Sequence, residues 1–381
     1  MVSTRYSELA TRNFFITIHF SKQSMISSNY LIIMAGGAGT RFWPFSRQNF
    51  PKQFHDILGT GSTLIQQTAE RFEGICPQEN IYVVTSREYY DITREQLPFL
   101  TDDQILLEPG RRNTAPCIAY ACFKIAKINP NANVVVAPAD HIILKPEEFR
   151  RRLTLALDYS QNADVLVTLG ITPTRPDTGY GYIQFDDSDD QEVKKVKTFT
   201  EKPNLEIAKM FISSGDYVWN GGIFIWSMPS ILKALDNYLP EIADAFREAQ
   251  PHFFTEGEKE ALDMAYPRCR SISIDNGVME KAENVYVVLC DIGWSDLGTW
   301  KSLHENSEKD EVNNVVSCYS MLYNVEDSIL KMPKDKLVVV KDLKGYIIAE
   351  HDRVLMICPK EDEQLVKEFV AKAEEFGKHY I

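Results

Sequence analysis

A glycine-rich turn and three cations lie close together near the start of the chain. The turn is Ala35-Gly36-Gly37-Ala38-Gly39-Thr40-Arg41, directly after an apolar run. Its glycines can adopt positive φ and approach a ligand closely, so consecutive N–H groups could cradle phosphate oxygens. Arg41, Arg47 and Lys52 add positive charge in the same region, and such charge stabilises phosphoryl or nucleotidyl transfer. An isolated basic loop, however, is more often simply solvated.

The turn matches neither of the two common phosphate-binding motifs. No Gly-Lys-Ser or Gly-Lys-Thr ends it, so it is not a P-loop. Phe42 stands where the third glycine of a dinucleotide fingerprint would be. The turn alone therefore leaves a functional and a purely structural role equally open.

Two aspartates are candidate metal ligands. Asp140 follows the apolar run Val134–Ala137, and Asp296 lies between Trp294 and Gly298. Ligands of open α/β sheets bind beyond the carboxyl ends of the strands, and a carboxylate there suits Mg²⁺. The alternative for either aspartate alone is a helix cap or a turn former.

The elements that would position these residues alternate short β-branched runs with longer stretches of helical period. This alternation predicts an α/β fold, a Rossmann-like mixed sheet with helices on both faces, followed by a small β-rich segment. The predicted strands are Leu31–Met34, Ile81–Val84, Ile105–Leu107, Val134–Ala137 (buried and parallel), Val165–Ile171, Tyr180–Phe185, Val193–Thr200, Gly222–Trp226, Val285–Leu289, Leu337–Val340 and Tyr346–Ile348. The predicted helices are a stretch through Phe72 that opens on a Thr63–Gln66 capping box, then Ala115–Ile128, Pro146–Tyr159, Ser230–Ala249 and Glu361–Phe376.

The same pattern predicts three parts of the chain. Residues 30–300 form the large domain, and residues 301–381 form a small β-rich domain that ends in a helix. Residues 1–29 are mixed and polar, so we expect a disordered extension or a misassigned start, since Met25 would serve as well as Met1.

Composition excludes several classes of protein. The chain has 44% hydrophobic residues and a net charge of −13, from 41 Lys and Arg against 54 Asp and Glu. It can therefore bury a large core, whereas binding to nucleic acid or to an anionic membrane is disfavoured. The seven cysteines form no C-x-x-C pair, which predicts reduced thiols in the cytoplasm. No apolar run reaches the roughly 18 residues of a membrane span.

Taken together, these segments resemble the bacterial mannose-1-phosphate guanylyltransferases, in the family's order from about residue 30 to 300. The resemblance lies in Gly36–Arg47 with Pro51–Phe54, Glu108-Pro109 with Asn113–Pro116, Ala137–His141, Thr178–Ile183, Phe199–Pro203, Trp219–Phe224, Ile274-Asp275 with Met279–Lys281, and Gly293–Trp300. Several of these segments are specific to sugar nucleotidyltransferases, and their combination is specific to the mannose branch.

The resemblance implies a role for each of the candidate residues. The catalytic set it implies is Arg41, Lys52, Asp140 and Asp296, with Mg²⁺ on the two aspartates. The nucleotide-binding set is Ala35, Gly36, Gly37, Gly39, Thr40, Arg41, Glu108, Asn113, Thr114 and Pro138. The sugar-phosphate-binding set is Gly179, Tyr180, Glu201, Lys202 and Asn220.

Alternatives remain for parts of these sets. Glu201 and Lys202 could be a surface ion pair worth roughly 0–1 kcal/mol, and Gly179 with Tyr180 could be a plain β-turn. Arg111 and Arg112 could serve the triphosphate or a subunit contact.

The activity implied is transfer of GMP from GTP to mannose 1-phosphate by in-line attack, which releases pyrophosphate. A sugar nucleotidyltransferase with another base or sugar, or a silent regulatory homologue, remains an alternative. Gly221 departs from the serine that relatives often carry. The chain ends too early for the isomerase domain of longer relatives, so no isomerase activity is expected. The C-terminal segment is expected to pack subunits into a homodimer or a higher oligomer.

Overall fold

The computed structural model describes residues 28–37, 39–188 and 190–381. Most of the predicted N-terminal extension lies outside these residues, and the first strand already begins at Asn29. The strands are β1 (Asn29–Met34), β2 (Ile81–Ser86), β3 (Ile105–Glu108), β4 (Asn133–Pro138), β5 (Ile142–Ile143), β6 (Leu166–Ile171), β7 (Tyr182–Phe185), β8 (Val193–Thr200), β9 (Tyr217–Ser227), β10 (Val285–Cys290), β11 (Trp294–Ser295), β12 (Val315–Val316), β13 (Tyr319–Glu326), β14 (Ile329–Lys331), β15 (Leu337–Lys344), β16 (Tyr346–His351) and β17 (Val354–Pro359). The α-helices are α1 (Leu64–Arg71), α2 (Tyr90–Gln96), α3 (Thr114–Ile128), α4 (Pro146–Gln161), α5 (Leu205–Ser214), α6 (Met228–Tyr238), α7 (Pro240–Ala249), α8 (Glu258–Ala265), α9 (Trp300–Asn306) and α10 (Val366–Phe376).

A mixed sheet organises the large N-terminal part of the chain, as predicted. Its strand order is β3-β2-β1-β4-β9-β6-β10-β8-β7. The first four strands in this order are parallel, and β9 is antiparallel to both β4 and β6. Because β7 also pairs with β9, the far end of the sheet curls back on itself.

Alternation along β1 divides the core between the two faces of the sheet. Ile32 packs on the face covered by α3, α6 and α7, whereas Leu31 and Ile33 pack on the face covered by α1 and α4. All three side chains are fully buried, because successive side chains of a strand point to opposite faces and both faces carry helices. This confirms the predicted layered α/β architecture.

The structure corrects some predicted elements. The single helix predicted over Ser230–Ala249 is two helices, α6 and α7, because Pro240 disfavours a helical conformation at Leu239 and cannot donate to the preceding turn. The strand Val134–Ala137 is parallel to β1 but antiparallel to β9. The strand predicted from Tyr180 begins only at Tyr182.

The start of the last helix also differs from the prediction. Its first predicted turn, from Glu361, is part of a 3₁₀ segment that runs from Lys360 to Leu365, and α10 begins at Val366. The capping box of α1 is confirmed, since Thr63 and Gln66 bond each other's backbone N–H groups.

The C-terminal segment is β-rich, as predicted. Alternate strands β12, β14 and β16 stack in parallel, β17 closes that sheet, and β13 and β15 form a second parallel sheet. This segment packs on the loop after β1, where Trp43 Nε1 donates to Tyr380 O at 2.7 Å and Lys331 Nζ donates to Ile57 O at 2.8 Å. The two parts of the chain therefore share a core.

All seven cysteines are free thiols. Within the part of the chain that the structure describes, no helix has both the length and the apolar character needed to cross a bilayer.

Candidate functional site

The candidate site lies beyond the carboxyl ends of β1 and β4. These strands run side by side, with Met34 opposite Pro138, and Ala139 N donates to Met34 O at 3.0 Å. The glycine turn leaves β1 at this edge, and Asp140 follows β4. Parallel pairing therefore brings the turn and the first aspartate together.

The side chain of Gln53 and close contact with Lys52 hold the glycine turn in place. Gln53 Nε2 donates to Ala35 O at 2.8 Å and to Gly37 O at 3.1 Å. Gly39 has φ of 59°, and a Cβ there would lie 2.7 Å from the Cβ of Lys52. Glycine is therefore required at this position both by conformation and by space.

Lys52 joins the two predicted metal ligands. Its buried ammonium lies 2.9 Å from Asp140 Oδ2 and donates to Asp296 O at 2.8 Å and to Leu297 O at 3.0 Å. Burial alone would raise the pKa of Asp140, but the charge of Lys52 holds that pKa below its ordinary value. Asp140 is thus kept as an anion, and residues more than 150 positions apart in the chain meet at one ammonium group.

Two hydrogen-bond donors orient the carboxylate of Asp296. Tyr180 donates its hydroxyl to Asp296 Oδ1 at 3.0 Å, and Gly298 N donates to the same oxygen at 3.0 Å. The sequence assigns Tyr180 to the sugar pocket, and that contact stays a prediction. In the structure, its hydroxyl instead connects the loop before β7 to the predicted metal ligand.

The two carboxylates fit a hard divalent cation that keeps other ligands. Among the residues described, no group of three or more His, Cys, Asp or Glu side chains forms a closed metal cage. Mg²⁺ usually takes one or two carboxylates and completes its shell with water and substrate phosphates. Asp140 and Asp296 are the right donor type for such an open site.

A cleft of about 370 Å³ lies between the glycine turn and the start of α3. Predicted residues that line it are Ala35, Gly36, Gly37, Glu108, Asn113, Thr114, Pro138 and Asp140. Asn113 has φ of 67° and caps α3, because its side chain accepts a hydrogen bond from Thr114 N. A nucleotide base and ribose would fit in a cleft of this size.

Glu108 is the buried carboxyl group of this cleft. Its residue is 7% exposed, Tyr266 OH donates to its Oε1 at 3.2 Å, and burial raises its pKa to about 7. Arg111 and Arg112 both line this cleft. Arg111 also pairs with Glu88 at 3.0 Å and donates to Tyr89 OH.

A second cleft of about 510 Å³ opens on the other side of Asp296. Predicted residues that line it are Arg41, Gly179, Tyr180 and Asp296. Thr40 begins the short 3₁₀ turn that carries Arg41. The cleft also contains Arg175, which the sequence analysis did not single out. Arg175 pairs with Asp177 at 2.9 Å and Glu305 at 3.2 Å.

The remaining residues predicted to bind the sugar phosphate lie directly after β8 and within β9. Glu201 and Lys202 follow β8 and form an ion pair with each other, so the alternative of a surface pair is compatible with their geometry. Asn220 lies in β9, where its backbone N donates to Gly181 O at 2.8 Å. A Cβ on Gly181 would lie 2.8 Å from Glu201 Oε2, so Glu201 and Asn220 flank the same glycine.

Arg47 does not reach the glycine turn, contrary to the sequence-based grouping of the three cations. Its guanidinium is buried and donates to His351 O at 3.0 Å, Asp352 O at 2.8 Å and His379 O at 2.6 Å. These acceptors are all in the C-terminal segment. Arg47 therefore fastens that segment to the loop that carries Lys52.

A glycine turn, a buried lysine and an aspartate at the carboxyl edge of a mixed α/β sheet, with a second aspartate beside them, are the features expected of a nucleotidyltransferase. The sequence model of the nucleotidyl transferase family matches residues 30–313. The chain belongs to this family.

Individual relatives support a narrower grouping. The chain is 36% identical to a mannose-1-phosphate guanylyltransferase of Escherichia coli, over 89% of this chain and 74% of that protein. It is also 36% identical to the alginate biosynthesis protein AlgA of Pseudomonas syringae pv. tomato, over 91% of this chain and 72% of that protein. Among solved structures, it resembles a mannose-1-phosphate geranyltransferase from Thermus thermophilus, with a TM-score of 0.82, 30% identity, and coverage of 91% of this chain and 99% of that one.

Proposed function

We propose that this chain transfers GMP from GTP to α-D-mannose 1-phosphate, giving GDP-mannose and pyrophosphate. The observation that carries the proposal is the Lys52 ammonium, which joins Asp140 to the Asp296 segment beside the glycine turn. The relatives named mannose-1-phosphate guanylyltransferase support the choice of base and sugar.

The chemistry requires positioning and charge neutralisation more than proton transfer. The attacking sugar phosphate is already an anion near neutral pH, so no general base is required. Two phosphorylated reactants repel each other, and fixed cations and backbone dipoles offset that repulsion in the transition state. In our proposal Arg41 and the N–H groups of the glycine turn bind the β and γ phosphates.

Mg²⁺ held by Asp140 and Asp296 would supply further positive charge between the two reactants and help to align them. Tyr180 and Gly298 fix the Asp296 carboxylate, which limits the geometry in which that ion can bind. Lys52 has its three N–H donors engaged by protein oxygens. In our proposal Lys52 contacts the α-phosphate of GTP. To do so it must exchange one of these bonds, and Asp140 is the partner that lines the cleft beside the glycine turn.

The base and the sugar would bind on different sides of the cluster formed by Lys52, Asp140 and Asp296. Glu108 could accept the N1–H and N2–H donors of guanine when it is ionised. Glu201, Lys202 and Asn220 would bind the mannose 1-phosphate. Adenine lacks these two donors, so an ionised carboxylate in the base cleft favours guanine.

The test is a substrate panel. The purified chain is incubated with Mg²⁺, each of GTP, ATP, CTP and UTP, and either mannose 1-phosphate or glucose 1-phosphate, and pyrophosphate release is followed. GTP with mannose 1-phosphate should be turned over fastest. Another winning pair would identify a different sugar nucleotidyltransferase, and binding without any turnover would identify a regulatory homologue.

A pair of variants controls for contaminating activity. Asp140→Asn removes one proposed metal ligand and should abolish release. Asp291→Asn makes the same chemical change at an exposed residue that pairs with Lys145, and it should retain full activity. Equal activity of the two variants would show that the release does not come from the proposed site.

A further inference from the structure

Asp275 contacts Asn220, which is one of the residues predicted to bind the sugar phosphate. Asn220 Nδ2 donates to Asp275 Oδ1 at 2.7 Å. The carbonyl end of the same amide faces the opposite way, where Asn220 Oδ1 accepts from Gly222 N at 3.1 Å and from Thr168 Oγ1 at 3.4 Å. Each end of the Asn220 amide therefore has a partner of matching type.

This arrangement fixes the orientation of the amide. If it rotated by 180°, its oxygen would face the Asp275 carboxylate and its N–H groups would face the Gly222 N–H. An acceptor would then meet an acceptor and a donor would meet a donor, which leaves buried groups unsatisfied. Among the described residues, none accepts the second N–H of Asn220 Nδ2. That N–H is available to a ligand.

Asp275 is itself held in place by the nucleotide side of the site. The neighbouring Ile274 N donates to Thr114 Oγ1 at 2.9 Å, and Ala115 N donates to Ile272 O at 3.1 Å. Thr114 begins α3 and lines the same cleft as Glu108 and Asn113. The segment before Asp275 is therefore hydrogen-bonded to the first turn of α3. Burial and the nearby charge of Glu201 raise the pKa of Asp275 above the ordinary value, so retaining a carboxyl group here costs stability.

We propose that Asp275 is a positioning residue for sugar selectivity: it holds Asn220 so that one amide N–H is presented to a hydroxyl oxygen of the sugar 1-phosphate. This inference rests on the proposed function, and it assigns to Asp275 a role that acts through Asn220. The ligand atom that accepts this hydrogen bond is the uncharged oxygen of a hydroxyl group on the pyranose ring.

The first test separates orientation from charge. Asp275→Leu removes the acceptor but keeps a similar size, and Asp275→Asn keeps an oxygen that can accept from Asn220. We expect Asp275→Leu to raise KM for the sugar phosphate about 10-fold, which corresponds to the loss of one hydrogen bond between the uncharged Asn220 amide and a sugar hydroxyl. KM for GTP should change by less than threefold, and Asp275→Asn should stay within about fivefold of the wild type. Glu280→Gln, a carboxylate change in the same segment, is the matched control.

A double-mutant cycle tests whether Asp275 acts through Asn220. In the Asn220→Ala background, Asp275→Leu should have no further effect on KM for the sugar phosphate. Additive effects of the two substitutions would overturn the proposal.

Exchanging the two residues distinguishes a positioning role from a purely structural one. In Asn220→Asp with Asp275→Asn, the hydrogen bond between the two side chains can re-form with its direction reversed, but residue 220 no longer offers an N–H to the sugar. We expect the thermal stability to recover while KM for the sugar phosphate stays raised. Recovery of both would show that the contact is structural only.

Two results keep the outcomes distinct. If Asp275→Leu does not fold, the exchanged pair still provides the test, because it replaces neither side chain by an apolar group. If the wild type releases no pyrophosphate with any substrate of the panel, the proposed function fails. If the wild type is active and the Asp275 variants behave as the wild type, only this inference fails.

Discussion

Because Glu108 is buried, we predict that raising the pH lowers the stability of the protein while it raises the activity. Burial raises its pKa from the ordinary 4.5 to about 7, and a tenfold change in proton affinity is worth about 1.4 kcal/mol. The protonated form is thus favoured in the folded state. The stability that this group contributes is fully present below pH 4.5 and is lost as the pH rises through about 7. Between pH 5 and pH 8 the loss is about 2–3 kcal/mol.

Glu108→Gln removes this dependence but keeps an oxygen for the Tyr266 hydroxyl. Relative to the wild type, we expect the variant to gain about 2–3 kcal/mol of unfolding free energy between pH 5 and pH 8, measured by urea denaturation at both pH values. Its kcat/KM for GTP should be lower than that of the wild type at pH 8, because a neutral amide replaces the acceptor carboxylate.

The wild type should also lose kcat/KM for GTP as the pH falls below 7, whereas the variant should show a flat profile in that range. Glu88→Gln, a change at an exposed carboxylate that pairs with Arg111, is the control and should alter neither property. A stability difference between Glu108→Gln and the wild type that is the same at pH 5 and pH 8 would refute the reasoning, because it would mean that burial does not perturb this group.

Three further predictions concern the lysine, the C-terminal fastening and the exposed β-sheet. Lys52→Met should lower kcat roughly 10²–10³-fold with the far-UV circular dichroism unchanged, and an unchanged rate at saturating substrates would remove Lys52 from catalysis. Arg47→Leu should lower the unfolding free energy by on the order of 3 kcal/mol and expose the C-terminal segment to limited proteolysis, and a protease-resistant variant would contradict the fastening role. Tyr319 and Leu337 lie opposite each other on the β13–β15 sheet and are 72% and 64% exposed. We expect this face to contact a second subunit, so replacing both by Ser should shift sedimentation velocity toward the monomer, and unchanged oligomer size would exclude this face.

The sequence predicts the fold of the large domain well because buried parallel strands are short continuous apolar runs. Ile81–Val84 and Ile105–Leu107 begin where the parallel strands β2 and β3 begin, and most other predicted strands differ from the observed ones by one to three residues. Val193–Thr200 also matches β8 at both ends, although β8 is antiparallel and only partly buried. The failure at Ser230–Ala249 arose because the apolar period continues through the break at Pro240. Hydrophobic periodicity reports which face is buried, whereas a proline decides where one helix must end.

The sequence identifies the site less completely, because a motif shows the type of a side chain but not its partners. Arg47 and Lys52 are five positions apart with the same charge, yet one binds the C-terminal carbonyls and the other the two aspartate segments. Asp275 and Arg175 lie within or beside recognisable motifs, but Asp275 pairs with Asn220 of β9 and Arg175 pairs with Glu305 of α9, which are both distant in the chain. No local pattern could have indicated those pairings.

The contacts of Lys52 and Arg47 suggest why the C-terminal segment is joined to the loop that carries Lys52. Lys52 must be held where its ammonium meets Asp140 and the Asp296 carbonyl, and the chain reaches it from the glycine turn through a long loop. Arg47 anchors that loop to the backbone oxygens of His351 and His379. The segment between the glycine turn and Lys52 therefore has less conformational freedom. Because a lysine in the free loop would lose most of its entropy on binding a phosphate, a loop fixed in advance lowers that cost. On this argument the Arg47→Leu variant should lose kcat as well as stability, even though Arg47 does not touch the predicted phosphate site.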